Sequence, residues 1–230
     1  IAQYIAFGTP DGALFDVHES VADAFFKRLM LFRLRARITI SAREDLAIHW
    51  AQTEAEVSAD EGLSFVGADP RSSELGFRGI RPTGLSSEPE DRYHTRRIAL
   101  GIAEQGQDFG AEDSFPADVN MDHLNGVAFK KGCFVGQEVV SRMKRRGTAR
   151  RRVLAARFEG AAPMPGTEIM ACGSTLGETG SHADGHVILK LRIDRLAKAD
   201  GDILAGETVL SPIAPDWLAA EQHALLEGKS

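Results

Sequence analysis

Cysteine is scarce in this 230-residue chain. It has two, Cys133 and Cys172, too few for a disulfide framework or a four-thiolate metal site. A reducing, cytoplasmic-type compartment is the expectation from that count. Long apolar runs are missing as well. None approaches the ~20 residues that cross a bilayer, so no membrane partner is expected. The opening IAQYIAFGTPDG lacks the basic-then-apolar order of a signal peptide and reads as the middle of a strand. No internal repeat is present. The 23 glycines and 9 prolines are scattered, which excludes collagen and low-complexity tracts. There is no Gly-Xaa-Ser-Xaa-Gly elbow, no phosphate-binding P-loop and no metal-protease helix. Positive charge is in overall deficit, with a net charge of −6 and a pI near 5.7. That argues against a non-specific nucleic-acid binder. What remains, 43% hydrophobic and 26% charged, is globular material for one large domain or two smaller ones.

The charge is unevenly spread. Residues 130–152 carry Lys130, Lys131, Arg142, Lys144, Arg145, Arg146, Arg150, Arg151 and Arg152 against one acid, Glu138. A field of that kind can hold an anionic partner, and the alternative is a solvated basic face.

The pattern of elements predicts an α+β fold. YIAFGTPDGALFDV reads as a β-hairpin, with Asp11-Gly12 supplying positive-φ turn positions. A helix capped by Ser20 follows, with Val21, Phe25, Leu29 and Phe32 on one stripe. Ile38 and Ile40 alternate with Arg37 and Thr39 as a strand. DLAIHWA and LSFVGADP are two more strands, so the helix should pack on a mainly antiparallel sheet. Ser87 and Glu90 form a capping box for a helix that ends at Gly101. Residues 103–126 are an acidic loop, and GQEVVSRMKRRG is a short helix closed by Gly147. After Arg152 the texture changes to short strands broken at 8–12-residue spacing, which predicts a small β-barrel or sandwich of about 75 residues. Two domains follow, residues 1–150 and 151–230, and the tail WLAAEQHALLEGKS is a short surface helix or frayed.

The chemistry centres on Cys133. Gly132 and Gly136 suit a tight loop. A helix starting near Gly136 or Gln137 aims its positive dipole end backward, and Lys130 and Lys131 add cations. All of these favour thiolate over thiol. The competing reading is a buried cysteine acting as a small hydrophobe. Glu138 is either a general base or, in the first turn of a helix, a dipole partner paired with Arg142 at i, i+4. His182, Asp184 and His186 could be metal ligands, but Asp184-Gly185 between strands reads as a turn. Cys172, in EIMACGS, reads as a packed strand residue.

The octapeptide Lys131-Gly132-Cys133-Phe134-Val135-Gly136-Gln137-Glu138 resembles the signature K-G-C-[FY]-x-G-Q-E of the YgfZ-type folate-binding proteins, relatives of the glycine-cleavage T-protein. The likeness extends to LFRLRARITI, RRIALGIAE, FPADVNMDHLNGVAFKKGC and the β-rich tail. The family usually has a further N-terminal segment, absent here, that contributes to the folate pocket. The resemblance implies a folate-binding region followed by a C-terminal β-barrel. It implies a tetrahydrofolate cofactor (or another reduced folate), iron–sulfur assembly proteins or iron–sulfur enzymes as partners, and indirect support of tRNA modification. It makes Cys133 the functional thiol, with Lys131, Gly132, Gly136, Gln137 and Glu138 shaping its loop. Arg142, Arg33 and Arg35 are candidates for the folate's anionic part; for Arg33 and Arg35 the other reading is solvated cations flanking Leu34. The rival functions are a folate-dependent aminomethyltransferase, which needs no protein thiol, and an RNA-binding module using residues 142–152. Direct tRNA contact is disfavoured by the net charge and the lack of an aromatic-rich basic sheet. Independent catalysis is not required by the accessory reading.

Overall fold

The computed structural model describes residues 2–58, 62–63, 65–84, 90–130, 138 and 149–227. The chain forms two compact units, divided between Tyr93 and His94.

The first unit opens with the expected hairpin, β1 (Tyr4–Thr9) and β2 (Gly12–Val17). Thr9 faces Gly12 across the ladder, so Pro10 and Asp11 make the turn. Neither Asp11 nor Gly12 has positive φ. Proline's fixed φ, not an Asp-Gly pair, sets this turn. Helix α1 (Glu19–Arg33) follows, and its cap, His18, is two residues earlier than the sequence suggested. The His18 ring nitrogen Nδ1 accepts the Ser20 N–H at 3.2 Å. Val21 is buried and Phe25 and Leu29 half-buried, but Phe32, the last member of the stripe, is 56% exposed. The strand expected at residues 37–40 does not form, and Ile38 is exposed. Alternation alone does not make a strand without a neighbour to pair with.

The sheet of this unit is β4–β5–β3 side by side, all antiparallel: β3 (Leu46–Ala51), β4 (Phe65–Ala68) and β5 (Phe77–Pro82). A one-turn helix, α2 (Glu54–Ser58), joins β3 to β4. The central strand β5 was not foreseen from the sequence. Ile5, Phe7 and Ile80 form the apolar centre, with Leu14, Ile48 and Phe65 packed around them.

Helix α3 (Glu90–Ala99) runs across the division. Ser87 lies outside the described residues, so the capping box does too. The other end is as expected. Gly101 sits at φ +68°, donating to Ile98 O, while Ile102 N–H reaches Arg97 O. These paired bonds satisfy the last carbonyls of the helix, and a side chain at Gly101 would also press on Ala155 N.

The second unit is built on a closed barrel with strand order β10-β11-β6-β9-β8-β7. Its strands are β6 (Arg151–Phe158), β7 (Glu168–Ala171), β8 (Ser174–Ala183), β9 (His186–Arg192), β10 (Ile203–Ala205) and β11 (Thr208–Ile213). Leu154, Ala156, Val187, Leu189 and Leu191 point inward in strict alternation. The outward residues Val153 and Ile188 are covered in turn by Ile98, Phe109, Val119 and Met121. Residues 103–126, the expected acidic loop, are therefore a packed cover of the barrel. The cover is stitched on by Asn120, whose amide donates to Val153 O at 2.7 Å. Two short helices, α4 (Ile193–Leu196) and α5 (Leu218–Leu226), complete the unit. Leu218 and Trp217 pack on the barrel interior, so the tail helix is docked.

Candidate functional site

Cys133, Lys131, Gly132, Gly136, Gln137 and Arg142 lie outside the described residues, as does most of the helix expected after them. Glu138 is described, in a helical turn and exposed. Of the candidate anion ligands, Arg33 is half-buried at the end of α1, and its guanidinium reaches Ile38 O at 3.5 Å. Arg35 is exposed.

Three charge networks organise the described residues, and the sequence reading found none of them as such. In the first unit, Arg71 grips Asp69 through two bonds of 2.9 and 2.7 Å, and Arg78 donates to the same carboxylate at 2.6 Å. Arg78 also reaches Asp16 at 2.8 Å. Both arginines donate to the Tyr93 hydroxyl, at 2.9 and 3.0 Å. Burial by itself would raise the Asp69 carboxyl, but the guanidiniums outweigh it and hold it at about 2. Trp50 closes the cluster, its indole N–H donating to Leu75 O at 2.6 Å.

In the second unit, Arg97 is fully buried between Asp108 (2.7 Å), Ser181 (3.0 Å) and the Ile102 carbonyl (3.1 Å). Asp108 also takes the Ser181 N–H and hydroxyl. This ties α3 and the barrel cover to β8, at the irregularity in its pairing with β9.

The third network corrects the basic-run reading. Arg152 is only 3% exposed, and it donates to Asp122 at 2.6 Å and to Glu221 at 2.6 and 2.8 Å. Burial by itself would lower its pKa, but the two carboxylates outweigh this and raise it. His123 joins Glu221 at 2.9 Å and stacks on Trp217. Asp122, His123 and Glu221 have metal-ligand spacing, but the Arg152 cation occupies the position where an ion would balance the acids. Arg150 and Arg151, by contrast, are exposed.

The two remaining candidates are also placed. Asp184 and Gly185 both have positive φ and form the β8–β9 turn, as expected from Asp-Gly. Cys172 is not a packed strand residue. It sits at φ +45° in the β7–β8 turn, exposed, with its thiol against the Asp200 carbonyl.

A cleft of about 490 Å³ opens in the second unit between residues 113–119 of the cover and strands β8 and β9. Its lining mixes cations and acids: Arg151, Arg192 and Arg195 with Asp113, Asp118, Glu168 and Glu178. Burial raises the Asp118 carboxyl despite the nearby Arg151 and Arg152.

With this geometry in place, the likenesses to known proteins can be stated. Residues 150–220 match the family described as CAF17, C-terminal beta-barrel domain. The fold is similar to glycine cleavage system aminomethyltransferase T from Bartonella henselae, with a TM-score of 0.66 over 95% of this chain and 72% of that one, at 14% identity. By sequence the chain is 29% identical to the mouse Iron-sulfur cluster assembly factor IBA57, mitochondrial, over 93% of its own length. It is 30% identical to the human protein of the same name over 90%.

The chain is similar to the IBA57 factors along most of its length.

It spans 68% of the mouse IBA57 and 64% of the human one. The expected T-protein-like α+β fold with a C-terminal barrel is thereby established. The expected cytoplasmic-type compartment is overturned, because the IBA57 relatives carry mitochondrial names. The cysteine count reports the redox state of a compartment, not its address. Among the described residues no helix is long and apolar enough to cross a membrane.

Proposed function

We propose that this protein is an accessory factor in iron–sulfur cluster assembly that binds a reduced folate and works through the thiol of Cys133. The observation that carries the reading is the likeness to IBA57 cluster assembly factors along nine tenths of the chain. The fold shared with aminomethyltransferase T supports the folate part. The octapeptide at residues 131–138, with its resemblance to the YgfZ-type signature, supports the thiol. Glycines on both sides let the backbone present the sulfur, and Lys130 and Lys131 favour its ionised form. Partners in this reading are iron–sulfur assembly proteins or the enzymes that receive clusters, and any effect on tRNA modification runs through those enzymes. The test is a titration of the full-length protein with tetrahydrofolate, followed by mapping of the residues protected on binding. Protection is expected before residue 150. Absence of binding, or protection confined to the barrel, contradicts the folate part.

The shared fold also favours a second reading, folate-dependent aminomethyl transfer. Release of ammonia from an aminomethylated carrier protein would establish it. That chemistry needs no protein thiol, so Cys133 favours the assembly reading.

A further inference from the structure

The cleft of the second unit takes no part in the chemistry proposed above, yet its lining holds both cations and acids. Arg151 on β6 stands directly opposite Arg192 on β9, so the two guanidiniums leave the same face of the barrel. Like charges in opposed cross-strand positions are destabilising by themselves. Asp194 compensates Arg192 with two bonds of 2.9 and 2.7 Å. Among the described residues the Arg151 side chain has no such partner, and Asp118 is the acid in its field. Arg195 is exposed, and its guanidinium donates to the Thr175 carbonyl at 2.6 Å.

The same lining offers acceptors. Asp113 takes the Gly110 N–H at 2.7 Å, and Glu168 takes the Thr175 hydroxyl at 2.7 Å. Each carboxylate has further lone pairs. Lys190, also on the lining, is engaged by Glu178 at 2.7 Å. A ligand suited to this mixed lining carries carboxylates for the guanidiniums and N–H groups for the acceptors. A phosphate backbone brings anionic groups for the guanidiniums but no backbone N–H groups for the acceptors. The size of the cleft fits a small ligand rather than a nucleic-acid duplex.

We propose that this cleft binds a short, acidic, amide-linked chain, with its carboxylates on Arg151 and Arg195 and its amide N–H groups on Asp113 and Glu168. Two sources share that chemistry: an acidic peptide segment of a partner protein, and an oligo-γ-glutamate chain. The site does not depend on the folate or thiol reading.

Calorimetric titration of the full-length protein with α-linked pentaglutamate, γ-linked pentaglutamate and a twelve-nucleotide single-stranded RNA tests it. At least one pentaglutamate should bind. The stronger of the two identifies the source. Arg151→Gln with Arg195→Gln should weaken that binding at least about tenfold. Lys27→Gln with Arg37→Gln removes the same charge from the first unit and should leave binding unchanged. Thermal unfolding confirms that each variant is folded, since all four side chains are exposed. No binding of either pentaglutamate at millimolar concentration overturns the proposal. So does unchanged affinity in the folded Arg151/Arg195 variant, and so does tighter RNA binding through the same two arginines.

Discussion

The two units bury charge and apolar surface in different proportions. Among the described residues, the first gathers Ile5, Phe7 and Ile80 at its apolar centre beside a buried cluster of Asp69, Arg71 and Arg78. It leaves Leu31, Phe32, Leu34 and Ile38 exposed. The second closes a barrel over Leu154, Ile169, Leu176, Leu189 and Leu191, each about 1% exposed or less. Its buried ion pairs stitch loops and helices onto that barrel. Salt bridges thus sit at the centre of the first unit and at the seams of the second. A fold with a small apolar core depends more on the partners of its buried charges, because losing one leaves an uncompensated ion.

Each unit carries one tryptophan, Trp50 and Trp217, so fluorescence of single-tryptophan variants can separate them. The largest effect is expected from Asp69→Ala, which strands two buried arginines. It should lower stability by about 3–5 kcal/mol in denaturant, read at Trp50. Unchanged Trp50 unfolding would mean that the cluster is incidental to the unit. Leu189→Ala should cost about 2–5 kcal/mol through the cavity it leaves, read at Trp217. A shift seen at Trp50 alone would break the comparison.

Acid should act through Asp69 with a definite sign. Its carboxyl is held at about 2 in the fold, against about 3.9 when unfolded. The stabilisation is complete above the unfolded value and is lost as pH falls from about 4 to about 2, amounting to about 2 kcal/mol. Trp50 unfolding should steepen in that window in the wild type and not in Asp69→Asn. Asp118 has the opposite sign, since burial raises it. Its contribution is favourable at low pH and fades as pH rises through its folded value. Asp118→Asn should therefore be the mildest change, neutral or slightly stabilising at pH 7. A clear loss at Trp217 would show that the carboxylate there is needed.

The same difference explains what could be read from the sequence. The barrel strands are legible because closed-barrel interiors alternate apolar and outward residues, as in RVLAARF and HVILKLR. The strand FRGIRP in the first unit was not seen, because Arg78 and Arg81 are buried there and mimic a polar loop. Arg152 was hidden in the same way, as one more cation in a basic run whose carboxylate partners lie at Asp122 and Glu221. Gly101 announced its helix end, since only a positive-φ residue allows that close. Cys172 misled because EIMACGS is strand-like up to Ala171, and the turn depends on two left-handed residues, the first of which is not glycine. The expected site motif, a thiol between glycines and cations, falls on residues outside those described.

The central claim is that Cys133 is the working thiol of an iron–sulfur assembly factor. The most direct measurement is the cluster content and activity of an iron–sulfur enzyme in cells lacking this protein and resupplied with full-length Cys133→Ala or Cys172→Ala at matched levels. The account expects Cys172→Ala to restore the enzyme fully and Cys133→Ala to leave it deficient while still binding tetrahydrofolate. Full restoration by Cys133→Ala would contradict it.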